Sequence, residues 1–253
     1  MSDEVNIKST TIEKGIELIK DFAEKLMGPT FEEVGLLISD NIKYYRFKNQ
    51  ISILTKAKKY VKEKNIDIKH IPIKILVPLL ENASLEEDDD LQNKWAFMIG
   101  NLADSNQNFQ NQIFPYLLTQ ISLNEFQQLE KFNEKERQYM INHIKLLDLR
   151  KEEMYYHNEK YKQLYEEVNK VNQEGFTFKQ LEEYEYSNLQ RLGLLKQLPP
   201  RIIIDELQIE HKGYEDSEYY SLEAEYDSED YGYRITSLGI KFLTICSEKQ
   251  TYR

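Results

Sequence analysis

The sequence predicts a mainly α-helical chain in two parts, an N-terminal helical domain over residues 1–172 and a C-terminal α+β module over 173–253. Three observations predict it. Glycine and proline are sparse, 9 and 6 among 253 residues, so the first three quarters offer few breaks to a helix. Apolar residues there recur at spacings of three and four, which lines one helix face. Beyond Gly175 the pattern changes to short β-branched or alternating runs, the mark of strands.

The elements follow in order. Ile12, Ile16, Ile19, Phe22 and Leu26 share a face, and Gly28-Pro29 ends that helix. Phe31, Val34, Ile38, Ile42 and Tyr45 form a second stripe; Phe47, Ile51, Leu54 and Val61 form a third, nearly continuous with it. Residues 65–72 connect. The apolar run Ile73 to Leu80 contains Pro78, which permits a short, kinked helix. Ser84-Leu-Glu-Glu87 has the form of a capping box and precedes Leu91, Trp95, Met98 (or Ile99) and Leu102 at core spacing. Ser122-Leu-Asn-Glu125 and Asn133-Glu-Lys-Glu136 repeat that start signal. One long helix is expected from about Glu134 to Asn172. Its apolar part is Met140, Ile141, Ile144 and Leu147, and its later part is rich in tyrosine and charge.

In the C-terminal module, Thr177 and Gln180 are placed to start a helix bearing Phe178, Leu181, Tyr184, Leu189 and Leu192, which Gly193 ends. Leu194-Leu195 begins an extended piece; Ile202–Ile204, Tyr219–Tyr226 and Tyr231–Ile235 have strand character. Thr236 caps a closing helix with Leu238, Phe242, Leu243 and Cys246. Helix, helix, hairpin and closing helix in this order is the plan of a winged helix-turn-helix, so the module is expected to be winged-helix-like.

Charge limits the function classes. Asp and Glu number 44 against 33 Lys and Arg, a net charge of −11. The field of the whole chain therefore repels a polyanion, and any contact with nucleic acid needs a local basic patch. A single cysteine, Cys246, excludes an internal disulfide framework and fits a reducing compartment. The opening MSDEVNIKSTT lacks the layout of a signal peptide, and no apolar run reaches the roughly 18–20 residues that span a bilayer. A cytoplasmic protein is expected.

Three stretches together resemble the abortive infection alpha family of bacterial proteins. The first is Glu33-Val-Gly-Leu-Leu-Ile-Ser-Asp40 with Tyr45-Arg-Phe-Lys-Asn-Gln50. The second is Ile71-Pro-Ile-Lys-Ile-Leu-Val-Pro-Leu-Leu-Glu81 with Ala83-Ser-Leu-Glu-Glu-Asp88 and Trp95. The third is Asn188-Leu-Gln-Arg-Leu-Gly-Leu194 with Tyr233-Arg-Ile-Thr-Ser-Leu-Gly239 and Phe242. The resemblance implies a role in phage defence and transfers no catalytic residues. The acidic, tyrosine-rich stretch 205–232 departs from the family pattern.

Four constellations are candidates for function. Residues 43–64 carry Lys43, Arg46, Lys48, Lys56, Lys58, Lys59, Lys62 and Lys64 against Glu63. This face can neutralise phosphates, or it can pair internally with the acidic run Glu86–Asp90 or the acidic tail. Residues 201–232 carry eleven Asp and Glu against Arg201 and Lys212, so a wing built from them repels a phosphate backbone. That disfavours a DNA-binding transcription regulator and favours a protein partner. Arg137 with His143, and Arg150 with His157, resemble the Arg–His motif of HEPN ribonucleases. There the histidine moves a proton and the arginine stabilises phosphate charge. Here Gln138 and Lys151 follow each arginine, against that motif's short polar residue. Tyr155, Tyr156, Tyr161, Tyr165, Tyr219 and Tyr220 are candidate partner-binding residues, the first four suggesting self-association through 150–172.

No metal is expected at Glu86–Asp90, where consecutive helical carboxylates fan out around the axis; there they complement the helix dipole. No cofactor motif is present either. Cys246 and Trp95 are expected in the core. The expected function is thus a non-enzymatic phage-defence protein that acts by macromolecular binding. A HEPN-like ribonuclease and a winged-helix regulator stand as alternatives.

Overall fold

The computed structural model describes residues 2–27, 44–108, 111–151, 155–174, 178, 180–198, 202–204, 224–226 and 232–249. Its helices are α1 (Ser2–Met27), α2 (Tyr44–Glu63), α3 (Ile73–Ala83), α4 (Asp89–Ala103), α5 (Ile113–Thr119), α6 (Leu123–Leu149), α7 (Glu159–Glu174), α8 (Glu183–Arg191) and α9 (Ser237–Cys246). A short 3-10 turn at Tyr155–His157 lies between α6 and α7. The strands are β1 (Leu195–Gln197), β2 (Ile202–Ile204), β3 (Ala224–Tyr226) and β4 (Tyr233–Ile235). The fold is mainly helical. The stripe expected from Phe31 to Ile42, and the break at Gly28-Pro29, lie outside the described residues.

The chain forms two compact units: residues 1–127 with 237–253, and residues 128–236. These bounds differ from a division at 172/173. Physically, the closing helix α9 buries Phe242, Leu243, Ile245 and Cys246 in the first unit, where it packs on α4 and α5.

In the first unit α2 packs extensively on α4, and Gly100 permits the close approach. A Cβ there would meet the Tyr60 ring at 2.6 Å and Val61 at 3.2 Å. Ile53, Leu54 and Ala57 of α2 and Trp95, Met98 and Ile99 of α4 are all buried, so Trp95 is a core anchor as expected. Phe242 meets Phe126 edge-on at 5.7 Å. A polar network ties the closing segment down. Tyr60 donates its hydroxyl to Asn101 Oδ1 at 2.9 Å and accepts from the Lys249 amide at 3.0 Å. Asn101 in turn donates to the carbonyls of Ile245 and Ser247 at 2.9 and 3.0 Å. The Lys249 ammonium pairs with the buried Asp104 carboxylate. Burial is the main reason the Tyr60 phenol sits above its usual range.

Helix ends differ from the sequence expectation in instructive ways. Ser84 does not start α4; it follows the end of α3, where its hydroxyl donates to the Glu81 carbonyl at 2.5 Å. The N-cap of α4 is Asp88, whose side chain accepts from the Leu91 amide at 2.9 Å. Pro78 does sit inside α3 and cannot donate to the Lys74 carbonyl; Gln112 Nε2 fills that role at 3.0 Å. The α2 end has Asn65 at φ 49°, with Ile66 N–H bonded to the Val61 carbonyl and Asn65 N–H to that of Lys62. This is a Schellman motif with asparagine in the glycine position.

The long helix expected over 134–172 is two helices. The first begins earlier, at the expected Ser122–Glu125 box: Ser122 N–H donates to Glu125 Oε2 at 2.7 Å and Glu125 N–H to Ser122 Oγ at 3.1 Å. The Asn133–Glu136 box falls inside α6 and starts nothing. Asn158 then accepts from the amides of Lys160 and Tyr161, opening α7 afresh.

In the second unit, Phe132 stacks on Phe178 at 4.2 Å, and Tyr186 stacks on Tyr233 at 5.2 Å. Leu189, Leu192, Leu194, Leu195 and Ile235 complete this core. Helix α8 starts later than expected. Its entry is Glu182, whose amide donates to Glu185 Oε2 at 2.8 Å. Tyr184, expected on the core face, is 73 % exposed. Gly193, at φ 69°, ends α8 as expected. Strand β1 pairs antiparallel with β4, Leu195 opposite Ile235; β2 pairs antiparallel with β3, Ile202 opposite Tyr226. Of the expected strand Tyr219–Tyr226, only Ala224–Tyr226 is described.

Candidate functional site

The basic stretch lies on α2, and much of its charge is used within the first unit. Arg46 donates to Ser84 Oγ at 2.9 Å and to the Glu81 carbonyl at 3.3 Å. Asn49 and Gln50 bond the carbonyls of Ser84 and Leu80 beside it. These three side chains satisfy the carbonyl end of α3, where a cation also suits the dipole. Lys56 pairs with Asp89 at 2.5 Å, within the acidic run Glu86–Asp90. Lys58 bonds the Leu18 carbonyl, and Lys64 pairs with Glu248 at 2.7 Å. Lys48, Lys59 and Lys62 share an exposed face of α2, with Glu63 3.8 Å from Lys59. Lys43 lies outside the described residues.

The two Arg–His pairs are on α6 and the turn after it. Arg137 holds Glu134 through two bonds of 3.1 and 3.2 Å, one turn back along the helix. Arg150 donates Nε to the Tyr161 hydroxyl at 3.1 Å, its guanidinium 6.0 Å from that ring. His143 stacks on Tyr139 at 5.9 Å, its Nδ1 buried without a hydrogen-bond partner. His157 is exposed in the 3-10 turn, 4.4 Å from the Tyr156 ring. Each arginine thus grips an acid or a phenol in the described contacts.

The tyrosines of this region do come together. Tyr155 meets Tyr156 and Tyr161 edge-on at 5.7 and 4.8 Å, and Tyr161 stacks with Tyr165 at 6.0 Å. Tyr161 is buried beneath the Arg150 guanidinium, while Tyr156 and Tyr165 are 55 and 42 % exposed. Tyr219 and Tyr220 lie outside the described residues, as does most of the acidic stretch 205–232. Periodicity alone missed one surface feature, the exposed row Met140, Ile144 and Leu147 on α6. The signal was present: charged residues lie on both sides of the row, as they do around an interface seam.

Elsewhere the chemistry is plain. Among the described residues, no group of three or more His, Cys, Asp or Glu is disposed to hold a metal ion. Cys246 is buried in α9. Among the same residues no helix is long and apolar enough to cross a membrane.

A family model described as abortive infection alpha matches residues 39–246. No curated protein matches the chain, and neither does any solved structure.

Proposed function

The chain belongs to the abortive infection alpha family, and from that premise we propose that it serves phage defence by binding a protein partner, without catalysing a reaction. The family supplies the abortive-infection role. The binding reading is carried by one observation, the ordered tyrosine cluster at 155–165 with two of its rings turned to solvent. Rings fixed before contact lose little freedom on binding, and tyrosine and arginine are the side chains that most often anchor interfaces. The acidic stretch 201–232 suits a basic partner surface in this reading, and it repels nucleic acid. The succession of α8, the strands and α9 along the chain supports a winged-helix-like reading of 173–253, although α9 packs in the first unit. We assign that module to docking and the protein to the cytoplasm.

Phage challenge of cells expressing the chain tests the mechanism. Tyr156→Ala with Tyr165→Ala should lower protection at least about tenfold, the effect of losing 1.4 kcal/mol of binding. His143→Ala with His157→Ala should leave protection unchanged. Loss of protection with the histidine pair alone would favour the ribonuclease and overturn the binding reading.

A further inference from the structure

We propose that a second copy of this chain docks antiparallel along α6, over Met140, Ile144 and Leu147. Their spacing marks them as core, yet they are 48, 54 and 44 % exposed. The other side of α6 is the one in use. Asn142 bonds Glu167 of α7, Arg150 bonds Tyr161 of α7, and Leu146 between them is buried. Spacings of four and three set these three residues on one stripe of the helix. A half-exposed apolar row of this kind marks an interaction surface.

The charges select both the occupant and its direction. Along one flank of the row stand Glu134, Arg137, Lys145, Asp148 and Lys151. Apart from Lys145, which falls level with Met140 of the other copy, the order acid, cation, acid, cation read backwards is its own complement. A copy turned about a two-fold axis between Asn142 and His143 brings Arg137 beside its Asp148, and Lys151 beside its Glu134. The symmetry makes each pair twice. Between them, Ile144 of each copy faces the half-buried Ile141 of the other, flanked by Met140 and Leu147. A parallel copy sets every charge against itself, and an axis at Ile144 sets Arg137 against Lys151. Within one chain the same four residues pair locally, Arg137 with Glu134 at 3.1 Å and Lys151 with Asp148 at 2.8 Å. Docking therefore exchanges the partners of these four residues.

Light scattering on the full chain reads the result directly. The wild type should show twice the 30.3 kDa chain mass. Ile144→Glu should raise the dimer dissociation constant at least about tenfold. The decisive arm uses two charge variants, Arg137→Glu with Lys151→Glu, and Glu134→Lys with Asp148→Lys. Each should be monomeric alone, and the two should form a dimer when mixed. All these positions except Ile144 carry surface charges, so the mixing arm decides even where Ile144→Glu fails to fold. A wild type that stays monomeric at about 100 µM, far above the micromolar end of standard interfaces, would overturn the proposal. So would a dimer indifferent to Ile144→Glu, or charge variants that do not recombine. The proposal does not rest on the tyrosine surface: a monomer leaves the phage test standing, and a failed phage test leaves the dimer standing.

Discussion

Asn65 and Gly193 occupy the same backbone conformation at two helix ends, at φ 49° and φ 69°. Glycine adopts it without steric cost, whereas a side chain at Asn65 crowds its own carbonyl. Asn65→Gly should therefore stabilise the first unit by up to about 1 kcal/mol, read as a rise in Tm, and Asn65→Val should lower it. Glu136 gives a pH-dependent test. Burial, opposed by the Ile235 amide and Arg234, holds its carboxyl above the usual value. A raised folded pKa means that the folded state holds the proton more tightly. The group's contribution to stability is then full below about 4.5, its unfolded value, and fades as pH rises through the folded value. Glu136→Gln removes that loss, so its Tm relative to wild type should climb from pH 4 to pH 7 in thermal melts. Legibility at this scale follows chemistry. Gly193 was readable as a helix end because few other residues tolerate its φ, whereas asparagine is common in ordinary turns. Ser84 misled because Ser-x-x-Glu does not say whether the serine opens one helix or closes another.

Among whole elements, the helices were legible and their limits less so. The run from Glu134 to Asn172 keeps helical periodicity throughout, yet Asn158 offers its side chain to the next amides and starts a separate helix. Local competition of this kind is invisible to periodicity, which averages over turns. The same averaging hid the α6 row, because spacing defines a face and leaves open what covers it. Caps are the most local device and the easiest to test. Asp88→Ala removes the acceptor for the Leu91 amide and should cost about 1 kcal/mol, with a Tm lower by a few degrees. Ser84→Ala should show no cap loss in α4, since Asp88 alone caps it.

For the molecule as a whole, the sequence indicated a helical majority and an acidic excess, but not the path of the chain. Residues 237–249 return to the first unit, where Asn101 holds their carbonyls and Phe242 is fully buried. No local pattern announces such a contact, because it joins positions more than a hundred residues apart. A chain ending at Thr236 exposes Phe126 and leaves Asn101, Asp104 and the Tyr60 hydroxyl without partners they have in the full chain. In limited proteolysis, cleavage within 44–103 should become rapid in that truncation and stay slow in the full-length protein.

The return path also orders events in time. On a ribosome, Ala103 is polymerised well before Ser237, an interval on the order of ten seconds at ordinary elongation rates. Throughout it the nascent first unit lacks its last wall, and a message cut short before that point yields a polypeptide that never acquires one. A protein assembled in this way completes its first unit only from a transcript read through the codons of α9.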